Sequence, residues 1–403
     1  MSSLALAILA GAIGFAAYAY IGYPLLLKVL ALRGPRTRRT PTVPEWPGVS
    51  ITIPVYNEAA TIGQTLERIL AIDYPADRRQ IVVVSDASSD GTDDIVRGFA
   101  ERGVELLRVP ERGGKSAAEN AALPFLRGGI VVNTDASIHI PPEAVRRLVA
   151  AFADPSVGVA SGRDVSVTRI GDVSNQGESG YVGYEMAIRD LETRVDGIVG
   201  ASGCFYAIRA ELHQAYVPAG LSRDFAAALV AREHGYRAVS VPDAICFVPR
   251  TASLRSEYRR KVRTMTRGMQ TLAYKGRLLN PFRYGLFAWM LFSHKVCRWL
   301  TPWAGAAALV ALAMLAPGAS WARVLLAVAG LGGATALAGW VWPGGTGRAV
   351  PKLLALPAYV VSGNVAAMEA LLAALAGRRH ATWEPTRRDA SSPRPQVGSP
   401  LSL

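Results

Sequence analysis

The chain contains little cysteine, and its cysteines lie far apart. Cys204, Cys246 and Cys297 are the only three in 403 residues. A disulfide framework needs more cysteines, and a structural zinc site needs ligand pairs a few residues apart. The pattern argues against both and favours small buried side chains in a reducing compartment.

Acidic residues are scarce relative to basic ones. The chain has 31 Asp and Glu against 44 Lys and Arg, a formal net charge of +13. Such an excess predicts an anionic partner, such as nucleic acid, a nucleotide or anionic lipid headgroups. The basic residues concentrate beside apolar segments, and none of these stretches carries a nucleic-acid-binding motif. They are Arg33 to Arg39, Arg255 to Arg267 and Arg378 to Arg388. This placement favours a membrane surface over nucleic acid.

A charge-free segment opens the chain. Met1 to Leu27 is long enough to cross a hydrocarbon core about 30 Å thick. Ala17-Tyr18-Ala19 resembles a signal-peptide cleavage site. However, the segment lacks a basic n-region and its apolar stretch is too long. Because basic residues follow directly, we expect a transmembrane anchor over residues 1–32, with the following chain in the cytosol.

Three more apolar segments lie near the C-terminus. They are Trp299 to Ala322, Val324 to Gly347 and Leu353 to Gly377, the last interrupted by Glu369. We expect transmembrane helices over residues 297–377 and a polar tail over residues 378–403, disordered after Asp389. Four spans with an outside N-terminus would put the basic tail outside, against the positive-inside tendency. One C-terminal segment is therefore expected to be interfacial or re-entrant.

Between the apolar segments, and after a linker over Pro41 to Gly48, strand patterns alternate with helix patterns. Strands are predicted over Val49 to Pro54, Ile81 to Ser85, Val104 to Val109 and Ile130 to Asn133. Helices are predicted over Thr61 to Leu70, Asp93 to Glu101 and Lys115 to Leu126. This order predicts an α/β domain over residues 48–253, with a mostly parallel sheet and ligands at the carboxyl ends of its strands.

A basic, partly apolar segment follows this domain. Leu254 to Leu279 fits an amphipathic helix at a membrane interface better than a solvated helix. Tyr284 to Ser293 is too short to span, so it is either interfacial or the first part of a longer helix. We expect residues 254–296 to form basic, interfacial helices.

Polar residues follow the predicted strands. Asp86 closes a buried strand, where its carboxylate can bind the edge of a nucleobase, whereas Asp90 or Thr92 fits an ordinary helix cap. Gly113-Gly114-Lys115 precedes a helix without the spacing of a P-loop. It fits either a phosphate contact or a helix start with a solvated lysine.

Two further carboxylates occupy positions suited to chemistry. Asp135 follows a buried strand, where it can share a divalent cation with a diphosphate. Asp224 precedes a helical pattern and fits either an N-cap or a general base.

Taken in order, these segments resemble inverting glycosyltransferase family 2, in the membrane-integrated branch of cellulose, hyaluronan and poly-N-acetylglucosamine synthases. The similarity covers about Ile51 to Gln270. The matching positions are Pro54 to Glu58 (P-x-Y-N-E), Asp86 to Thr92 (D-x-S-x-D-G-T), Gly114, Lys115, Ala118 and Asn120 (G-K-x-x-A-x-N), Asp135 to Ser137 (D-x-D), Gly200 to Gly203 (G-x-x-G) and Ser222 to Asp224 (T-E-D).

The resemblance implies a GT-A nucleotide-sugar-binding domain flanked by transmembrane helices. It implies transfer of sugar from a nucleotide-diphosphate sugar, expected to be a UDP-sugar, to a lipid-linked or polysaccharide acceptor. It also implies a multi-pass protein of the cell membrane with a cytosolic catalytic domain. The implied donor-binding residues are Pro54, Tyr56, Glu58, Asp86, Lys115, Asp135 and Arg263. The resemblance further places Gly203 and Arg223 on the acceptor side, Asp224 as catalytic base, and Mg²⁺ or Mn²⁺ on Asp135.

Three positions depart from the family pattern. Ser137 replaces the second carboxylate of D-x-D, and Arg223 replaces the glutamate of T-E-D. Of the donor-closing Q-x-x-R-W motif, only Arg263 remains. Polymer extrusion is therefore in doubt, and transfer of a single sugar is at least as well supported. The departures also leave open a transporter or scaffold with a degenerate nucleotide-binding domain. A dinucleotide-dependent oxidoreductase is disfavoured because the first βα turn lacks G-x-G-x-x-G.

Overall fold

The computed structural model describes residues 2–32, 45–167, 174–215, 217–249, 254–342 and 350–378. The basic stretch Arg33 to Arg39 lies outside the described residues, as do the first part of the linker, the end of the second C-terminal apolar segment and the tail.

Within the described residues, seven strands form one sheet in the order β3-β2-β1-β4-β6-β5-β7. Neighbouring strands in β3-β2-β1-β4 are parallel, β6 is antiparallel to both β4 and β5, and β5 is parallel to β7. The strands are β1 Val49–Val55, β2 Arg79–Ser85, β3 Val104–Arg108, β4 Ile130–Thr134, β5 Val157–Val167, β6 Phe205–Arg209 and β7 Arg237–Pro249. The expected α/β class with a mostly parallel sheet is confirmed.

Helices cover the sheet and extend away from it. They are α1 Ser2–Ala17, α2 Tyr23–Ala31, α3 Ile62–Leu70, α4 Thr92–Arg97, α5 Lys115–Ala122, α6 Ala144–Ala150, α7 Ser174–Val195, α8 Ala210–His213, α9 Arg223–Glu233, α10 Leu254–Tyr274, α11 Pro281–Leu291, α12 Arg298–Leu315, α13 Ser320–Val341 and α14 Lys352–Leu375. Two π-helical segments, Tyr18–Gly22 and Phe292–Cys297, connect α1 to α2 and α11 to α12.

The parallel half of the sheet matches the predicted strands closely. Its core is built from β-branched strand residues such as Ile51, Ile53 and Val83, all fully buried. Two predicted helices are shorter than expected. The helix expected to reach Glu101 ends before Gly98, and the one expected to reach Leu126 ends at Ala122, before a short 3₁₀ turn containing Pro124.

Four described helical segments are long and apolar enough to cross a membrane: Ser2–Ala31, Pro281–Leu315, Ser320–Val341 and Leu353–Leu375. The segment Tyr284 to Ser293 is the first part of a longer apolar helical segment, which begins at Pro281 and not at residue 297. The apolar run expected over Trp299 to Ala322 is divided, because α12 ends at Leu315 and α13 begins at Ser320. Glu369 does not interrupt α14.

A buried polar cluster joins α7 of the α/β domain to the apolar helices. We define the junction cluster as Tyr23, Glu185, Glu192, His294 and Arg298. The Tyr23 hydroxyl donates to Glu192 Oε1 at 2.5 Å, and His294 Nδ1 lies 2.6 Å from the same oxygen. Arg298 donates to Glu185 Oε2 at 2.8 Å. The two carboxylates lie on α7, and their partners lie in or beside the π-helical segments.

Candidate active site

The carboxyl ends of β1, β2 and β4 meet at one edge of the sheet, where two loops are bonded together. Asn57, which follows β1, accepts from Ser89 N–H through its side-chain oxygen at 2.8 Å. Glu58 N–H donates to Thr92 Oγ1 at 2.8 Å, and Asp90 accepts from both Ala59 N–H and Thr92 N–H. Asp90 thus binds the first residue of α4, whose N-cap is Gly91, and also ties the second loop to the first.

Asp86 is buried where β2 ends and holds the loop before α5. Its two carboxylate oxygens accept from Gly113 N–H and Gly114 N–H, each at 2.8 Å. Gly114 adopts a positive φ of 88° as the N-cap residue, a conformation that favours glycine. These two N–H groups therefore serve Asp86 here instead of the phosphate contact that the sequence suggested.

Lys115, the first residue of α5, joins the end of β4 to the loop before β6. Its ammonium donates to Asp135 Oδ1 at 2.5 Å and to the Gly203 carbonyl at 2.9 Å. Glu119 lies one turn along α5, with its Oε1 4.0 Å from the same ammonium. Burial alone would lower the pKa of Lys115, but Asp135 and Glu119 raise it overall. The alternative of a solvated lysine is wrong.

Asp224 faces the same group from α9. It is the second residue of the helix, and Ser222 is the N-cap, so the alternative that Asp224 is the N-cap is also wrong. A Cβ on Gly203 would lie 2.9 Å from Asp224 Oδ2, so a side chain at residue 203 would press on the carboxylate. We refer to Lys115, Glu119, Asp135 and Asp224 as the lysine cluster.

Behind this cluster lies a buried polar layer. The Arg223 guanidinium donates to Asn120 Oδ1 and to the His213 carbonyl. Only 4% of Arg223 is exposed, and its side chain points into the domain. Its expected position on the acceptor side stays a prediction. Burial raises the pKa of Glu119, although Lys115 and Arg223 oppose this effect.

Arg267 is a site residue that the sequence interpretation missed. On α10, its Nη2 donates to the Leu221 carbonyl at 2.5 Å and to Ser116 Oγ at 2.8 Å, which ties α10 to α5 and to the loop before Asp224. Burial lowers the pKa of Arg267, while Asp224 and Glu119 act to raise it. Arg263, which was expected to bind the sugar donor, lies one turn earlier on α10. Because residues four apart lie on the same face of a helix, this spacing could have drawn attention to Arg267.

The expected donor-binding residues of the first loop occupy different environments. The Tyr56 ring lies 3.8 Å from the guanidinium carbon of Arg112, in a cation–π arrangement. Glu58 is buried and accepts from Thr61 Oγ1 at 2.8 Å. Pro54 is an internal residue of β1, paired in register with Val84, so its position is within the sheet and not on a loop.

The residues at the strand ends can be tested for fit to a divalent cation. Among the described residues, no group of three or more His, Cys, Asp or Glu side chains could hold a metal ion. Asp135 supplies a partly exposed carboxylate, and Mg²⁺ is commonly bound by one or two carboxylates with substrate phosphates and water. The donor set therefore fits a cation that takes most of its ligands from a bound diphosphate.

Comparison with known families and curated proteins identifies relatives of this domain. The family model for glycosyl transferase family 2 matches residues 50–216. Beta-monoglucosyldiacylglycerol synthase of Synechocystis sp. is 33% identical over 152 residues, which are 36% of this chain and 30% of that protein. Undecaprenyl-phosphate 4-deoxy-4-formamido-L-arabinose transferase of Edwardsiella ictaluri is 36% identical over 107 residues, 26% of this chain and 33% of that protein. The chain thus covers about a third of these relatives.

A solved structure resembles a larger part of the chain. The mannosyltransferase PcManGT from Pyrobaculum calidifontis, in complex with GDP-Man and Mn²⁺, has a TM-score of 0.69 and 27% sequence identity. The similarity covers 92% of this chain and 100% of that one.

Proposed function

Because residues 50–216 form a glycosyl transferase family 2 domain, we propose that this protein is a membrane-bound, inverting glycosyltransferase. It transfers a sugar from a nucleotide-diphosphate sugar to a lipid-linked or glycan acceptor. The observation that carries the proposal is the lysine cluster, where Lys115 bonds both Asp135 at the end of β4 and the carbonyl of Gly203, the residue packed against Asp224.

In this proposal, the donor lies across the carboxyl ends of β1, β2 and β4. Asp86 and Tyr56 recognise the base, with Glu58 and Pro54 shaping the loop beside them. Asp86 uses its oxygens to hold Gly113 and Gly114, and each carboxylate oxygen can accept a further hydrogen bond. Its position therefore allows it to fix the loop and bind a base at the same time. Arg263 contacts the diphosphate, for which a planar guanidinium is suited.

The transfer step needs a base on the face of the sugar opposite the leaving nucleotide. The acceptor oxygen attacks the anomeric carbon, the bond from that carbon to the phosphate oxygen breaks, and Asp224 takes the hydroxyl proton. The nucleoside diphosphate leaves with the bonding electrons. Gly203 leaves room for Asp224, and Arg267 holds the loop before it.

Asp135 is the residue proposed to hold Mg²⁺ or Mn²⁺ with the donor diphosphate. When bound, such a cation offsets the negative charge that develops on the departing diphosphate. The complex of the similar mannosyltransferase with GDP-Man and Mn²⁺ supports this proposal. Lys115 holds Asp135 in place and contributes positive charge at the same end of β4.

The acceptor and location follow from the apolar helices. Two relatives have names that refer to lipids, a diacylglycerol and undecaprenyl phosphate. The candidate membrane helices would hold the domain at a bilayer, within reach of a lipid-linked acceptor. We propose that the domain lies on the cytosolic side of the cell membrane. Basic residues follow α2 in the sequence, and such residues favour the cytosolic side of a span.

A donor screen tests the proposal. Membranes containing the protein are incubated with a panel of UDP- and GDP-sugars, with and without EDTA, and extracted lipids and glycans are analysed by mass. We expect one donor to add the mass of one sugar to an acceptor, and EDTA to abolish the addition. Donor binding without transfer to any acceptor, under conditions that support a positive-control enzyme, would instead support a binding or transport protein.

A further inference from the structure

The final apolar helix, α14, packs alongside the basic helix α10. Lys261 Nζ lies 3.6 Å from the centre of the Tyr359 ring, and Thr266 Oγ1 donates to the Ala370 carbonyl at 3.4 Å. Further along, Gln270 Nε2 donates to the Arg378 carbonyl at 2.9 Å. These contacts extend over about two and a half turns of α10, so the two helices lie side by side over that length.

The same stretch of α10 is attached to the catalytic domain. Arg267 donates to the Leu221 carbonyl, and Ser222 N–H donates to Thr271 Oγ1 at 2.9 Å. The same helix also carries Arg259, Arg260, Lys261 and Arg263. Each such charge costs about 2.5–3.5 kcal/mol or more at the centre of a bilayer. Consequently α10 belongs at the level of the aqueous domain and the lipid headgroups, and its neighbour α14 lies at that depth as well.

The two sides of α14 differ in the size of their apolar side chains. Its buried side presents small residues, and its exposed side presents large ones. The buried residues are Ala355, Ala358, Ala366, Ala367, Ala370 and Ala373. The exposed ones are Leu353, Leu356, Val360, Val361, Val365, Leu372 and Leu375. The alanine side allows close packing on α10 and α13. The other side presents a largely apolar surface that also carries the exposed residues Asn364 and Glu369.

We propose that α14 lies on the cytosolic surface of the bilayer and does not cross it. Its exposed leucines and valines insert into the cytosolic leaflet. Arg255 and Arg259, the exposed arginines of the adjoining α10, contact anionic headgroups. Three spans then remain: Ser2–Ala31, Pro281–Leu315 and Ser320–Val341. With the N-terminus outside, both the catalytic domain and the basic tail lie in the cytosol, as the positive-inside tendency requires. The inference depends on attachment to a bilayer and not on catalysis.

Thiol labelling distinguishes the two topologies. In a background with the three native cysteines replaced by alanine, single cysteines are placed at Ser392 in the tail, Gly318 between α12 and α13, and Glu101 in the catalytic domain. A membrane-impermeant maleimide is applied to intact cells and to inverted vesicles. We expect Ser392→Cys to label only in inverted vesicles, like Glu101→Cys, and Gly318→Cys to label only in intact cells. Labelling of Ser392→Cys from outside the cell would overturn the proposal.

A depth measurement separates a surface helix from one that enters the bilayer and returns. A fluorophore is attached to Val361→Cys, in the middle of α14, or to Leu331→Cys, in the middle of α13. Both side chains are exposed, at 40% and 67%. The vesicles contain lipids brominated either near the headgroup or deep in the acyl chain. We expect shallow bromines to quench the fluorophore on α14 best, and deep bromines to quench the fluorophore on α13 best. Deep quenching at both positions would contradict the proposal.

Discussion

The lysine cluster and the junction cluster both bury opposite charges, but they differ in what remains accessible. In the lysine cluster, Lys115 and Asp135 are each about one-fifth exposed, and Asp224 is only partly buried. In the junction cluster, Glu192 and His294 are almost completely buried. The first cluster lies at the edge of a sheet where a ligand can enter, whereas the second is enclosed between α7 and the apolar helices.

This difference indicates two uses of the same chemistry. Charges that remain accessible can recognise a substrate and exchange protons with it, as we propose for Asp224. Charges that are enclosed and paired fix the relative position of two elements, because removing one partner leaves the other buried and unpaired. Variants of the lysine cluster should therefore change catalysis, and variants of the junction cluster should change stability.

Glu192→Gln is expected to give the largest loss of stability. The substitution removes the charge that accepts from Tyr23 and faces His294, and breaking a buried pair typically costs about 3–5 kcal/mol. Thermal unfolding of the detergent-solubilised protein measures the loss, and activity per folded molecule should be unchanged. Glu211→Gln, at an exposed carboxylate, is the control and should cost less than about 0.5 kcal/mol. If both variants unfolded at similar temperatures, the junction cluster would not be what fixes α7 against the apolar helices.

Gly203→Ala should reduce turnover by up to about 100-fold, with a smaller effect on donor affinity. The new Cβ would press on Asp224, and displacement of a reacting group by about 1 Å can cost that much. Gly220→Ala is the matched control in the nearby loop, since a Cβ there meets no atom within 4 Å. Steady-state kinetics with the donor found in the screen separate kcat from KM. Equal kcat values for the two variants would argue against crowding of Asp224.

Arg267→Ala should lower kcat by at least about tenfold, since hydrogen bonds made by a charged group contribute about 1.5–3 kcal/mol. Loss of the Arg267 side chain frees the loop that precedes Asp224. Arg263→Ala should chiefly raise the KM for the donor. Arg260→Ala should have the smallest effect, because Arg260 pairs with Glu257 on the same helix. If Arg260→Ala proved the most damaging of the three, the assignment of α10 to the site would be wrong.

A further prediction concerns the dependence of stability on pH through Glu185. Burial favours the neutral form, but the charges of His294, Lys295 and Arg298 bring the pKa of Glu185 well below its usual value. Its contribution to stability is therefore complete above the unfolded pKa of about 4.3 and is lost as pH falls toward the folded pKa. The difference in unfolding temperature between wild type and Glu185→Gln should be constant from pH 7 to pH 5 and shrink below pH 4. A difference that grows in acid would contradict this sign.

Local patterns in the sequence predict the parallel half of the fold. β1, β2 and β4 are short runs rich in β-branched residues, β3 carries only one such residue, and helical periods separate the four strands. The ends of β1, β2 and β4 carry the polar residues of the site. The strands β5, β6 and β7 were not predicted, because their pairing depends on contacts between residues far apart in sequence. The same reason hides the junction cluster, since nothing near Glu185 or Glu192 in sequence indicates an arginine or histidine partner on a later helix.

The order of motifs in the sequence predicts which residues form the site, but it does not predict which partners those residues contact. Asp86, Lys115, Asp135 and Gly203 were expected at one site, and the structure brings the last three into contact. The partners were not predictable: Asp86 holds a backbone loop, and Arg223 points inward. Short motifs identify which residues reach a strand end, whereas tertiary packing determines which way each side chain turns.

Asp224→Asn tests the central claim most directly. Asparagine retains the size of the side chain and cannot accept a proton as a base, so transfer at saturating donor should fall by about 10²–10⁴-fold. Donor affinity and unfolding temperature should remain near wild type, because Asp86 and Asp135 are intact and Ser222 is the N-cap. Asp243→Asn, at an exposed residue of β7, is the control and should retain full activity. If the folded Asp224→Asn protein binds donor and transfers sugar at the wild-type rate, Asp224 is not the base.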